Sequence, residues 1–377
     1  MSGKIFETRR IFPGEKGEVH MVTRKDIAER AQVSVSVVSR ALNNSGYVDS
    51  KKREQILKIA DELGYHPSPV AMSLMTQRTK QILFYCKDMR NAFNIEVYRG
   101  MLTAAEQQGY MVVVNGNLDF RKVKGIMADG LILPNDTVAE IYLNTSGKNY
   151  HLPVVAASYG DPVSFSRSMP TIKCDMWEGM DKVLNYLWER GHRRIALVTP
   201  YIMEGTSARN LSWINFMKER MGENNWKDYF FGINSKSLGR DLSAYGFSEE
   251  IQWGNPLVEE NFFEKGELAA EIFKERNSKA TAVACFNDEM ALGFCKRMRK
   301  LGYEIPKDVS VVGIDGAYAR KYADQKLTSL AVNPEKQGRK CVEVLLNLIH
   351  GKKIHYVTKI PMKILEGETV RDLYERR

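Results

Sequence analysis

Residues 22–65, VTRKDIAERAQVSVSVVSRALNNSGYVDSKKREQILKIADELGY, decide the fold of the N-terminal end of this chain. Thr23 followed three residues later by Asp26 is a capping box, which starts a helix near Arg24. Ile27, Ala28 and Ala31 form its apolar stripe. Gln32-Val33-Ser34 breaks that period, and Ser34 suits the N-cap of a second helix running to about Leu42. In this second helix Val38, Ala41 and Leu42 share one face, leaving Val35, Ser36, Ser39 and Arg40 on the other. A third helix is predicted after Asp49, burying Ile56, Ile59, Ala60 and Leu63 and stopping at Gly64. Two helices joined by a three-residue turn, with a third packed across them, make a helix-turn-helix unit. Such a unit lays its second helix in the DNA major groove. Between Ala31 and Val48 there is no carboxylate, while serines, Asn43, Asn44 and Tyr47 offer neutral donors. Arg40 adds the one side chain of that run able to make a bidentate bond to guanine.

The rest of the chain suits such a partner. Its 377 residues are enough for roughly two or three domains, and 44% hydrophobic with 27% charged residues is ordinary globular composition. The net charge of +9 favours a polyanion, though only nonspecifically. No run approaches the eighteen or so apolar residues of a membrane span, and no secretory signal is readable, so a cytoplasmic location is expected. The cysteines (Cys86, Cys174, Cys285, Cys295 and Cys341) are odd in number and form no CxxC pair, which fits a reducing compartment. Residues 1–21 carry Gly and Pro among alternating charges without an apolar period and are expected to be a disordered extension, with Met21 a candidate start.

From Gln81 onward, short β-branched runs alternate with helical periods. Strands are predicted at 82–85, 111–114, 130–133, 154–157, 195–198, 282–285 and 309–313. Helices are predicted over 96–107, 180–188 and 288–300. This alternation implies α/β architecture with doubly wound parallel sheets, which bind ligands beyond the carboxyl ends of their strands. The run is too long for one such sheet, so two lobes around a cleft are expected. No GxGxxG after a strand, GxxxxGK[ST] loop or GxSxG elbow is present, and the six histidines lack metal-ligand spacing. An enzyme is therefore not expected, nor is a cofactor or metal. A secreted sugar receptor would share the body but has no use for the reading head.

The segment 22–74, with Gly191-His-Arg-Arg-Ile-Ala, Phe286-Asn-Asp-Glu-Met-Ala-Leu-Gly and Ile305-Pro-Lys-Asp-Val-Ser-Val-Val-Gly-Ile-Asp, resembles the lactose-repressor (LacI/GalR) family over residues 22–370. The resemblance implies a sequence-specific transcriptional regulator, with repression the expected sign. Its parts are a small all-α headpiece (22–67), a hinge helix and linker (68–80), and a periplasmic-binding-protein-like body (81–377). The body divides into lobe 1, about 81–172 and 332–361, and lobe 2, about 173–331 and 362–377. It also implies a homodimer on a pseudo-palindromic double-stranded operator, nucleoid-associated when bound. Val35, Ser36 and Arg40 then stand at base-reading positions; Thr23, Ser34, Ser39, Asn43 and Tyr47 hold phosphates, which sets register rather than sequence.

Ser68-Pro69 reads as an N-cap and first helical proline, but the two turns that follow are too short to be stable alone. The resemblance turns this linker into a minor-groove hinge of Val70, Ala71 and Leu74, with Leu74 as an apolar wedge. It lines the cleft with Phe93, Asn94, Ser158, Arg209, Asn287 and Asp315. Asp accepts from hydroxyls while Arg and Asn donate, so a sugar or sugar derivative is the expected effector. Trp177 and Trp213 are candidates to stack on a ring or to lie in the core. Four departures from the family pattern stand out: Gln32 where a small residue or Asn is usual, Met72 where Arg is frequent, Gly316 in place of a second acid, and a short connection over 117–129. The alternative to a small-molecule effector is a protein co-effector.

Overall fold

The computed structural model describes residues 22–66, 72–73, 76–87, 89–117, 119–121, 126–146, 152–160, 169–200, 207–222, 225–233 and 261–374. The extension 1–21 and the hinge residues Val70, Ala71 and Leu74 lie outside them. The chain divides into two compact units between Thr79 and Lys80.

The first unit holds α1 (Arg24–Ala31), α2 (Val35–Leu42) and α3 (Ser50–Glu62). Ile27, Ala28, Ala31, Val38, Ala41, Ile56, Ile59 and Ala60 make its core, with Leu42 and Leu63 half-buried at the margin. Each fully buried aliphatic side chain stabilises by about 1.5–3 kcal/mol, and so small a unit has little surplus. Gln32 caps α1 in the left-handed region at φ +52°, where side chains other than Gly and Asn are disfavoured by about 1–2 kcal/mol. This accounts for the usual small residue or Asn at that position, and nothing in the structure explains the Gln. Gln32→Gly is expected to raise the stability of the head by about 1 kcal/mol, read as a higher denaturation midpoint of the helical signal.

The second unit begins with β1 (Gln81–Tyr85), α4 (Ala92–Glu106), β2 (Met111–Asn115), β3 (Gly130–Leu133), α5 (Asp136–Ser146), β4 (Val154–Ser158) and β5 (Thr171–Lys173). It continues with α6 (Met176–Glu189), β6 (Ile195–Thr199), α7 (Ala208–Met221), β7 (Phe230–Gly232), α8 (Phe262–Glu275), β8 (Ala282–Cys285), α9 (Asp288–Lys300) and β9 (Ser310–Asp315). Last come β10 (Thr328–Ala331), α10 (Pro334–Ile349), β11 (Val357–Lys359) and β12 (Lys363–Leu365). Helices α4 and α6 start a turn earlier than their apolar periods suggest, because Asn91 and Asp175 stand at their N-caps; Asn91 Oδ1 accepts from the Phe93 amide at 2.8 Å.

The strands form two six-stranded sheets, ordered β11-β5-β4-β3-β1-β2 and β12-β10-β9-β8-β6-β7. Every pairing is parallel except the edge pair β10–β12. Each central strand is buried on both faces. Along β1, Ile82 and Phe84 join one core while Leu83 and Tyr85 join another, and β8 divides Ala282 and Ala284 from Val283 and Cys285 likewise. Continuous apolar runs are the mark of such doubly covered parallel strands. Between β2 and β3 the described residues carry no α-helix; buried Phe120 instead packs 4.8 Å from Tyr85 and 5.1 Å from Tyr142. The short 117–129 connection leaves that cover to a side chain.

The chain passes from one sheet to the other three times, after β5, after β10 and after β11. Each lobe also contains a helix pair in close approach. A Cβ on Gly100 of α4 would collide with the Glu335 carbonyl of α10, and one on Gly338 of α10 with the Val97 carbonyl of α4. The second lobe repeats the device, Gly266 of α8 facing the Met290 carbonyl and Gly293 of α9 the Phe263 carbonyl. The obstacle is backbone and has no rotamer to change. Gly338→Ala is therefore expected to destabilise the body by about 2–3 kcal/mol, measured as a lowered urea midpoint at unchanged slope.

Candidate functional site

In the head, burial of Val38 and Ala41 turns the opposite face of α2 outward. Val35, Ser36 and Arg40 are all exposed on it. Arg40 is tied only loosely, its Nε 3.4 Å from the Ser36 carbonyl oxygen, and its aliphatic stem lies against Gly46. Ser34 occupies the N-cap as expected, but its hydroxyl does not cap the helix; it pairs with the Ser36 hydroxyl at 2.8 Å. The positive end of α2 thus lacks a side-chain acceptor, a setting that favours a phosphate oxygen. Thr23, Ser34, Asn43 and Tyr47 are exposed, Tyr47 at 86%. Ser39 is half-buried and accepts from Arg24 Nη1 at 3.2 Å and Asn43 Nδ2 at 3.4 Å. Arg24 also donates through Nε to the Tyr65 hydroxyl at 3.1 Å, so it links all three helical segments. That link crosses 41 residues and has no signal in local spacing.

In the body, Arg209 at the start of α7 and Asp315 at the end of β9 approach one another, and Asn287 stands between the end of β8 and α9. Arg209 Nη2 lies 3.7 Å from Asp315 Oδ1, with both side chains nearly buried. Its guanidinium also stacks 4.2 Å from the Phe286 ring centre, and Nε faces Met176 Sδ at 3.3 Å. Asn287 spends its Oδ1 on capping α9, accepting from the Met290 amide at 2.8 Å. Asp315 has φ +125°, outside the regions a non-glycine residue prefers. Burial drives its carboxyl well above the usual carboxylate range; Arg209 opposes this, and the charges of Asp288, Glu289 and Glu96 add to it.

From the first lobe, Ser158 ends β4 and accepts the Gly160 amide at 3.2 Å. Phe93 contacts the Tyr159 ring at 5.7 Å, and half-buried Asn94 follows it in the first turn of α4. Tyr159 was not singled out by sequence, yet it is central here. Its hydroxyl lies 3.2 Å from Gln337 Oε1, its amide donates to Asp136 Oδ2 at 2.7 Å, and it feels the charges of Asp315 and Arg209. Burial is the main cause that raises its phenol well above the ordinary value. Glu96 is a second addition: its Oε1 accepts the Tyr318 amide of the other lobe at 2.7 Å.

Trp213 is a core residue, fully buried between Trp226 and Phe230. Trp177 is half-buried and donates to the Gly160 carbonyl at 3.3 Å. His192 is buried in a turn between Thr281 Oγ1 at 3.0 Å and the Arg371 carbonyl at 3.1 Å, and burial lowers its pKa. All five cysteines are buried and none is in a disulfide. Among the described residues, no cluster of His, Cys, Asp and Glu could hold a metal, and no helix is long and apolar enough to cross a membrane.

Two family models match the chain: "Bacterial regulatory proteins, lacI family" over residues 23–68, and "Periplasmic binding protein-like domain" over residues 184–370. The HTH-type transcriptional repressor PurR of Vibrio atlanticus is 28% identical, covering 94% of this chain and 100% of its own. The lac repressor dimer bound to operator and the anti-inducer ONPF has the same fold, with a TM-score of 0.73 at 21% identity over 93% of this chain and all of that one. The transcriptional regulator CelR in complex with cellobiose gives a TM-score of 0.60 at 20% identity, over 92% and 99%. With a matching reading head, a matching ligand-binding body and full-length repressor relatives, the chain belongs to the LacI family of DNA-binding transcriptional regulators and is not an enzyme.

Proposed function

We propose that this protein is a repressor that works as a homodimer on a pseudo-palindromic operator and is controlled by a sugar or sugar derivative bound between its two lobes. The observation that carries the effector reading is the Arg209–Asp315 pair on the Phe286 ring, at the carboxyl ends of β6 and β9. A guanidinium, a carboxylate and an aromatic face are what a polyhydroxylated ring needs: donors, acceptors and an apolar surface. Ser158, Asn287, Asn94 and Phe93 complete the lining. The operator reading rests on the exposed Val35, Ser36 and Arg40, with Thr23, Ser34, Ser39, Asn43 and Tyr47 as phosphate contacts and Val70, Ala71 and Leu74 in the minor groove. A protein engaged on an operator works in the cytoplasm, at the nucleoid.

The mechanism is a thermodynamic linkage. An effector that binds one arrangement of the lobes better than another shifts their equilibrium, and with it operator affinity; the operator changes effector affinity by the same factor. The test is selection of bound duplexes from a random pool by the purified protein, alone and with a panel of mono- and disaccharides. A symmetric motif released by one sugar is the expected result. A symmetric motif indifferent to every sugar overturns the effector assignment and favours a protein co-effector; no enrichment at all overturns autonomous operator reading.

A further inference from the structure

The turn that follows Asp315 is held by a single buried carboxylate. Asp288 is the first residue of α9, but its side chain does not cap that helix, a task left to Asn287. It reaches across to the turn instead. Oδ2 accepts the Ala317 amide at 2.8 Å, and Oδ1 accepts the Ser329 hydroxyl at 2.5 Å. The Ser329 oxygen in turn accepts the Gly316 amide at 3.0 Å. Both peptide N–H groups after Asp315 therefore converge on Asp288, one directly and one through a hydroxyl from β10. Strand β9 makes room for this with Gly313, where a Cβ would collide with Asp288 Oδ1. Arg320, also buried, closes the turn: its Nη2 donates to the carbonyls of Leu365 and Glu366 at 3.0 and 3.1 Å; burial pushes the Asp288 carboxyl up to about 7, and the Arg320 charge partly opposes this.

Two functional groups depend on this turn. Asp315 keeps a φ of +125°, which persists only where surrounding bonds over-determine it. Tyr318, three residues on, offers its amide to Glu96 of the first lobe. We propose that Asp288 is a positioning residue for effector control, fixing one turn so that Asp315 faces Arg209 and the Tyr318 amide faces Glu96. Effector contact and the bond between the lobes are then set by the same buried group. The functional consequence rests on the reading of Asp315 as an effector ligand; the geometry does not.

The experiment is amide hydrogen exchange of the full-length protein without DNA or effector, comparing wild type with Asp288→Asn, Ser329→Ala and Glu96→Ala. Asparagine keeps the volume of Asp288 but offers one acceptor oxygen in place of two, and Ser329→Ala is the milder variant should Asp288→Asn fold poorly. In both, exchange over residues 315–318 should rise about tenfold or more, and the first turn of α4 across the cleft should lose protection with it. Strands β6 and β8 should be unchanged. Glu96→Ala should speed Tyr318 without affecting Gly316 and Ala317. Unchanged exchange over 315–318 in both variants would overturn the proposal. So would a uniform rise through the second lobe, which would make Asp288 a folding residue only. Operator selection on the same samples reports separately on the regulator reading.

Discussion

Replacing Arg40 with alanine relaxes base preference at one position of each operator half-site by roughly 1–3 kcal/mol, about 5- to 150-fold in relative affinity. The expectation follows from how little the head asks of this side chain. Among the described residues its hydrogen bond is the long contact from Nε to the Ser36 carbonyl, and the side chain is exposed. An exposed arginine whose stem runs beside Gly46 suits the O6 and N7 acceptors of guanine. Arg40→Lys keeps the charge but loses the planar fork, and should recover nonspecific affinity without recovering the preference. The measurement is competition between the selected operator and a set of single-position variants at several salt concentrations. A loss equal for all sequences, with a salt slope smaller by about one, would make Arg40 a phosphate contact instead.

Asp315→Asn is expected to weaken effector binding by roughly 1.5–3 kcal/mol, about 10- to 150-fold, while operator affinity without effector stays at the wild-type level. The Asp315 carboxyl, beside the Arg209 guanidinium, can meet sugar hydroxyls through two oxygens, and the amide retains only one. Asparagine is the better substitution because it keeps the volume and one acceptor oxygen toward the nearly buried Arg209, whereas Asp315→Ala would leave that guanidinium without any partner at this position. Breaking a buried pair in that way costs about 3–5 kcal/mol and would confuse a folding defect with a binding one. Titration of the releasing sugar against the preformed operator complex checks the expectation. An unchanged release midpoint would remove Asp315 from the effector's contacts, and a weakened operator complex without sugar would assign it to the lobe equilibrium itself.

What could be read in advance divides by sequence distance. The three head helices were legible almost to the residue because caps, stripes and stop signals act within a few positions. Strands β3 and β8 and helix α9 were legible for the same reason. Helices α5, α7, α8 and α10 were not anticipated, although α10 buries a regular stripe of Cys341, Val342, Leu345 and Ile349. Arg209 and Asp315 are more than a hundred positions apart, and only the family resemblance put them in one cleft. Tyr159, Glu96 and Asp288 had no such guide. Each works through a backbone amide, and nothing in a residue's identity says which distant N–H it will meet.

The paired glycines of α4 with α10 and of α8 with α9 have a mechanical consequence. Helices seated backbone against backbone have no side-chain layer to shear, so each lobe resists internal deformation. Compliance is left to the three strand-exit tethers, near 174–175, 332–333 and 360–362, that join the two stiff bodies. Two rigid plates held by three adjacent straps cannot twist, slide and rock independently. Such a connection favours hinge closure over repacking within a lobe. On the effector reading proposed above, a small molecule bound between the lobes would not need to specify a new shape. It has only to choose an angle, and every part of each plate must follow.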